Sequence, residues 1–225
     1  MGQIVGIIPA RGGSKGIPRK NIKFINGMPL IKYSIKAAQE SRKLDSFYIS
    51  TEDQEIKEIA ISFGASVIDR PFELAGDNTS TFAVLQHAWQ VLGSEIEAIV
   101  CLQPTSPLRS ATHIDDAISL LTPEINTVIG VCRDKRYCWE IKSDETALAL
   151  FDERKPRQMM KPRYAENGSI YVCRTNVFEN NDDKLGMGIS STGKRKLFEM
   201  SEEHSIEIDS MFDFKYIELL LKEGL

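Results

Sequence analysis

Apolar runs alternate with amphipathic stretches through the first two-thirds of the chain. Gln3–Pro9 (QIVGIIP) is continuously apolar, the pattern of a strand buried on both faces. Leu30–Ser41 places apolar residues at 30, 31, 33, 35, 37 and 38, a helical stripe. Ser46–Ser50 predicts a second strand, and Asp53–Phe63 a helix with Ile56, Ile59, Ala60 and Phe63 on one face. Ala65–Ile68 reads as a third strand, Thr81–Leu92 as a helix and Ala98–Leu102 (AIVCL) as a fourth strand. Ile114–Leu121 follows as a helix with Asp115 and Asp116 in its first turn, where the helix dipole favours anions, and Thr127–Cys132 as a fifth strand.

This alternation implies an α/β fold, a doubly wound and mainly parallel sheet with helices on both faces. Ligands of such sheets bind beyond the carboxyl ends of the strands, so the loops after the first and fourth strands are the first places to look. After Cys132 the pattern breaks. Arg133–Arg163 is charged, holds Pro156 and Pro162, and predicts at most a strand or hairpin around Cys138–Leu150, so it reads as an excursion from the main sheet. Ser169–Cys173 returns as a strand, Asn180–Lys196 is a polar, glycine-rich and mobile connection, Ser205–Ile208 is a short strand, and Phe212–Lys222 a closing helix. The whole reads as one domain over 1–225 with an extension at about 133–165.

Composition narrows the partners. The 225 residues carry a net charge of −4, with 42% hydrophobic and 27% charged residues, as in an ordinary globular protein. A pI near 5.5 argues against nucleic-acid binding, which wants a broad positive surface. No run approaches 18 apolar residues, so no membrane span is expected, and the N-terminus lacks the pattern of a signal peptide. Cys101, Cys132, Cys138 and Cys173 are widely spaced, with no C-x-x-C, which suits reduced thiols in a cytoplasmic protein. His87, His113 and His204 have no sequence partners at metal or triad spacing and read as structural.

Against that acidic background, five cations (Arg11, Lys15, Arg19, Lys20 and Lys23) fall within thirteen residues, threaded through Gly12, Gly13 and Gly16 directly after the first strand. Glycines let the backbone turn tightly and aim its N–H groups inward, and the cations add full charges. Such a loop can hold two or three phosphates and stabilise negative charge growing on a leaving pyrophosphate. Neither G-x-x-x-x-G-K-[ST] nor G-x-G-x-x-G is present. In LQPTSPLR (102–109), Pro104 and Pro107 stiffen the loop that carries Gln103, Thr105 and Ser106. Near the end, alternation over Ser205–Asp209 sends Ile206 and Ile208 to one face, Glu207 and Asp209 to the other. Two carboxylates so spaced suit Mg²⁺ bridged to substrate phosphates; Asp213 is a third candidate unless it caps the helix that follows.

IPARGGSKGIPRKNI closely resembles the opening motif of the CMP-sialic acid synthetases, cytidylyltransferases that activate nonulosonic acids. DRPFELAGDNTST (69–81), LQPTSPLR, ENGSIYV (166–172) and SIEIDSMFDF (205–214) follow in the family's order over nearly the whole chain. The resemblance implies a Rossmann-like nucleotidyltransferase fold whose extension exchanges contacts in a homodimer, and a Mg²⁺-dependent reaction of CTP with a nonulosonic acid. It implies that Arg11, Lys15 and Lys20 contact the triphosphate, with Gly12 and Ser14 of the same loop in the substrate site. Asn21, Arg70, Thr81 and the neighbouring Ser80 would face the cytidine, Gln103 would meet the sugar acid, and Asn167 and Tyr171 would line its pocket. The family commonly carries aspartate at both late carboxylate positions, so Asp209 is the expected metal ligand, and the longer Glu207 a ligand directly or through water. Among Arg154, Lys155, Arg157, Lys161 and Arg163 of the extension, Arg157 or Arg163 would pair with the sugar carboxylate across the dimer. A 3-deoxy-manno-octulosonate-type cytidylyltransferase, or a non-catalytic nucleotide-binding regulator on the same fold, stays open as an alternative.

Overall fold

A computed structural model describes residues 2–182 and 184–224. In chain order the elements are β1 (Gln3–Pro9), β2 (Phe24–Ile25), β3 (Met28–Pro29), α1 (Ile31–Glu40), β4 (Ser46–Thr51), α2 (Gln54–Ser62), β5 (Ser66–Asp69), α3 (Thr81–Leu92) and β6 (Ile96–Leu102). There follow α4 (Ala111–Ser119), β7 (Ile125–Asp134), β8 (Trp139–Ile141), β9 (Ala147–Ala149), β10 (Arg163–Arg174), α5 (Asn176–Glu179), β11 (Lys194–Met200) and α6 (Met211–Lys222). Seven strands form one sheet in the order β11-β7-β10-β6-β1-β4-β5. Only β10 runs against its neighbours, so the sheet is mainly parallel, as the alternation predicts.

The apolar runs do what their pattern demands. Along β1, Ile8 enters a core shared with Ile31 and Ile35 of α1, Ile56 of α2 and Ile114 of α4. Val5 and Ile7 point the other way, into a core with Phe82 and Leu85 of α3 and Phe178 of α5. A third, smaller cluster lies apart from these two. Ile17 of the basic loop, Ile25, Leu30, Leu108, Ile208, Phe214 and Ile217 pack together there. Ile17 and Ile208 are fully buried, so the basic loop and the carboxylate segment are anchored to each other through one apolar plug. That plug holds the candidate site in shape.

Three expectations need correction, and one open alternative is decided. Ser205–Ile208 is no strand: Glu203–Ser205 is a single 3₁₀ turn, and the Ile208 N–H bonds the Thr105 carbonyl at 2.9 Å rather than a ladder. Its alternation serves the plug instead, through Ile206 and Ile208. The polar stretch expected as a mobile connection ends in an edge strand, β11, parallel to β7 and almost wholly exposed. Asp115 and Asp116 lie inside α4, which starts at Ala111 behind the Ser110 cap; Asp115 instead accepts the Ser41 hydroxyl at 2.6 Å and the Arg42 N–H, tying down the end of α1. Asp213 caps α6, accepting the Ser210 N–H at 2.7 Å. The excursion is present: β8 and β9 leave the main sheet as a separate hairpin between β7 and β10.

Candidate active site

The basic loop is stitched from below rather than left free. The Asn21 amide donates to the Arg11 carbonyl at 2.9 Å, and the Gly12 N–H donates to Glu52 Oε1 at 2.8 Å. A Cβ on Gly12 would stand 2.2 Å from Asp53 Oδ2, so the close approach to the turn after β4 requires glycine there. Arg19 adopts a left-handed backbone (φ 55) and forks onto Asp53 at 2.5 and 2.9 Å, with a further bond to Glu55 at 2.6 Å. Its guanidinium holds the Asp53 carboxyl below the usual carboxylate range. Lys23 lies over the Phe214 ring. Arg19 and Lys23 are therefore structural cations, and the Gly12 N–H is already bonded; the anion-facing charge reduces to Arg11, Lys15 and Lys20.

Arg11 and Lys20 line a cleft of about 270 Å³ at the carboxyl ends of β1 and β6, and Lys15 stands beside it. Arg11, Ser14, Lys20 and Asn21 line it from the loop, and Arg70, Thr81 and Gln103 from the other walls. Arg11 and Lys15 both reach Asp77. Lys20 is only 16% exposed at its side chain, donates to the Ile208 carbonyl at 2.8 Å and lies 3.7 Å from Asp209 Oδ1. Arg70 is buried, donates to the Ser50 carbonyl, and is pushed down to about 10 by burial against the opposing pull of Glu52. Ser80 caps α3 by accepting the Ala83 N–H, which sets Thr81 at the first turn facing the cleft.

The carboxylate segment lies against the basic loop. Glu207 lies over Gly168, whose left-handed backbone (φ 60) sits where the β10–β7 register slips between Glu166 and Tyr171. A Cβ there would fall 1.8 Å from Glu207 Oε1. Burial, then the neighbouring Asp209, raises the Glu207 carboxyl, with Lys20 opposing. Tyr171 donates to Glu166 Oε2 at 3.0 Å, and burial raises its phenol strongly. Asp209 is 82% exposed at its side chain, and its carbonyl would meet a Cβ on Gly16 at 2.9 Å, so the glycine loop and the carboxylate segment are in close contact. Among the described residues no three His, Cys, Asp or Glu converge as an all-protein metal cage. Two carboxylates beside a basic loop are a donor set that Mg²⁺ can take together with substrate oxygens, so Asp209 and Glu207 fit that ion. Alanine at position 168 would combine a left-handed backbone with this clash. Gly168→Ala is expected to cost about 2 kcal/mol, a fall of roughly 4–8 °C in the thermal midpoint. An unchanged melting curve would show that neither the left-handed backbone nor the contact with Glu207 constrains this position.

Two side chains depart from the sequence reading. Asn167 is buried and turned inward, donating to Ser205 Oγ at 3.0 Å and accepting the Ser169 N–H, outside the cleft lining. Arg109 carries a role that the sequence does not predict. Its guanidinium is buried, donating to the Gln103 carbonyl at 3.1 Å, the Ser169 carbonyl at 2.8 Å and Ser34 Oγ at 2.6 Å. It thereby binds the Gln103 loop to β10. Its only sequence signal is its place at the end of LQPTSPLR. In the extension, Arg163 donates to the Leu150 carbonyl, and the side chain of Arg157 lies outside the described residues.

Known proteins match this arrangement. A family model described as "Cytidylyltransferase" matches residues 5–222. N-acylneuraminate cytidylyltransferase A of Danio rerio is 32% identical over 96% of this chain, and the N-acylneuraminate cytidylyltransferase of Escherichia coli 32% over 95%. The chain spans about half the length of these two relatives, 50% and 51% respectively. Post-translational flagellin modification protein B of Campylobacter coli is 31% identical over 99% of this chain and 97% of its own. Among solved structures, CMP:2-keto-3-deoxy-manno-octonic acid synthetase complexed with CTP superposes with a TM-score of 0.75 at 16% identity, covering 99% of this chain and 100% of that one. A cytidylyltransferase from Leptospira borgpetersenii superposes with a TM-score of 0.66 at 17% identity, covering 100% and 89%. These two share the fold, and the sequence matches carry the kinship. A sheet with a cation-lined cleft at its carboxyl edge, matched by the family model from the first strand to the last helix, makes this chain a member of the cytidylyltransferase family.

Proposed function

We propose that the protein transfers the cytidylyl group of CTP to a nonulosonic acid, a sialic acid or a relative, with release of pyrophosphate. The observation that carries this reading is the cleft lined by Arg11 and Lys20, with Lys15 reaching Asp77 of its wall and Lys20 lying 3.7 Å from Asp209. The names of the N-acylneuraminate cytidylyltransferases it matches support the substrate class. The sugar's anomeric hydroxyl oxygen attacks the α-phosphorus of CTP, its proton passes to solvent, and the bond to the β-phosphate oxygen breaks to release pyrophosphate. Arg11 and Lys15 hold the departing phosphates, while Lys20 bridges that side of the cleft to the carboxylate segment. Gly12 and Ser14 shape the loop around the triphosphate; Asn21, Arg70, Ser80 and Thr81 face the cytidine. Gln103 and Tyr171 orient the sugar acid, with Asn167 supporting the segment under Glu207 from within. Mg²⁺ held by Asp209 and Glu207 would draw charge from phosphate oxygens and acidify the attacking hydroxyl.

The excursion completes the reading. Trp139, Ile141, Leu148 and Met159 stand exposed on it, an apolar surface suited to a second copy of this chain in a homodimer. Free cysteines fit work in the cytoplasm; Cys101 and Cys173 are buried, and burial pushes the Cys101 thiol up to about 12. No described helix is long and apolar enough to cross a membrane. Pyrophosphate release, followed for each nucleoside triphosphate against sialic, legionaminic, pseudaminic and 3-deoxy-manno-octulosonic acids, tests the proposal. CTP with one of the first three acids is expected to turn over. Turnover only with the octulosonic acid, or with no acid at all, would overturn it.

A further inference from the structure

Two of the three cations meant for a polyphosphate already hold an anion. Asp77 Oδ1 lies 3.0 Å from Arg11 Nη1, and Asp77 Oδ2 lies 2.7 Å from Lys15 Nζ. Lys15 first, then Arg11, holds the Asp77 carboxyl below its usual range, so at neutral pH this is a charged carboxylate in an anion cradle. The segment that brings it is weakly anchored. Between β5 and α3 the chain makes one 3₁₀ turn, Phe72–Ala75, with no buried residue and Phe72 82% exposed. Gly76 precedes Asp77, and the Thr79 N–H closes the turn onto the Gly76 carbonyl. Leu74, Gly76, Asp77 and Thr79 all border the cleft, so withdrawal of Asp77 would open the site without breaking any of the three apolar cores.

We propose that Asp77 is a tethered internal competitor for Arg11 and Lys15 that lowers the occupancy of the pair by weakly bound anions and speeds pyrophosphate on its way out. This rests on the reading of the cleft as a triphosphate site. Every molecule in the proposed reaction is an anion, the sugar acid and both products included, so an unguarded cation pair would be occupied by the wrong ones. A tethered carboxylate competes at the effective concentration of a short loop, in the millimolar range. It weakens every ligand that needs the pair by one common factor. A lone carboxylate, with nothing else to offer, is then displaced. CTP has contacts to its base and ribose in addition, and stays. After transfer, pyrophosphate has lost those contacts, and Asp77 can retake the cations.

The test is a variant that should bind more tightly, a direction that damage to the fold does not produce. Binding of CTP, inorganic pyrophosphate and cytidine is measured by calorimetry on the wild-type protein, Asp77→Asn, Asp77→Ser and Arg11→Met. Both Asp77 variants are expected to bind CTP and pyrophosphate about threefold to tenfold more tightly, as loss of two exposed ion pairs allows, with cytidine unchanged. The inhibition constant of pyrophosphate in turnover should fall by the same factor. Unchanged or weakened pyrophosphate binding in both Asp77 variants, with Arg11→Met weakening CTP and pyrophosphate, would overturn the role of Asp77 alone. If Arg11→Met left both ligands unaffected, the triphosphate reading of the cleft would fall with it.

Discussion

Lys20→Met is expected to lower kcat/KM for CTP by about 10²–10³, the loss seen when one preorganised donor to developing charge is removed. The magnitude follows from where the ammonium sits. Lys20 is mostly buried at the rim of the cleft, so the charge acts in a medium where fields are weakly screened. It is also fixed, by its 2.8 Å bond to the Ile208 carbonyl and its position 3.7 Å from Asp209. A surface lysine that reorients on binding would contribute far less. The loss should fall mainly on kcat, because charge grows on the phosphates during bond breaking. Methionine retains the length and packing of the side chain, so the thermal midpoint should drop only by what one hydrogen bond contributes, about 1 kcal/mol or 2–4 °C. Turnover equal to that of the wild type would remove Lys20 from the site. A collapse of the melting curve comparable to the kinetic loss would instead make it a structural link.

How far the sequence could carry such an assignment depends on what kind of signal a residue leaves. β1 and α3 are readable end for end, because burial on two faces forces an unbroken apolar run and burial on one face forces a helical stripe. β11 leaves no such trace: an edge strand with one buried residue, Met200, has little reason to be apolar. Ile206 and Ile208 alternate as a strand does, yet the constraint that produced them is the apolar plug against Ile17 and Phe214, a contact between distant segments. The charges show the same limit. Sequence marks five cations in the basic loop, but that Arg19 belongs to Asp53, 34 residues away, is a fact of the fold. Arg109 and Asn167 are polar residues turned inward to hold backbone, and nothing in a local pattern tells an inward polar side chain from one awaiting a ligand. The juxtaposition of Gly16 with Asp209 is likewise tertiary, and it is what brings the basic loop and the carboxylate segment together.

Asp209→Asn is expected to reduce turnover by about 10²–10³ at low millimolar Mg²⁺ and to raise the half-saturating Mg²⁺ concentration by at least about tenfold. Asparagine keeps the shape and one acceptor oxygen but removes the charge that a hard dication needs. Because Asp209 is 82% exposed and its pairing with Lys20 is long, its loss should leave the melting curve within about 1 °C of wild type. Glu207→Gln separates the two carboxylates. Glu207 is half-buried over Gly168, with its charge disfavoured there by burial and by Asp209, and a protein that retains a carboxylate in such a place gains nothing in stability from it. If Glu207 is a ligand in its own right, Glu207→Gln should show the same raised Mg²⁺ requirement as Asp209→Asn, and the double variant should be no worse than the poorer single one, as for groups that act as a unit. If it acts only through water, the Mg²⁺ requirement should hardly move while turnover falls. Chelation of Mg²⁺ by EDTA should abolish turnover and leave the fold intact, since the described residues build no cage that depends on the ion. Full turnover of Asp209→Asn at unchanged Mg²⁺ dependence would show that the divalent ion is not seated on this segment.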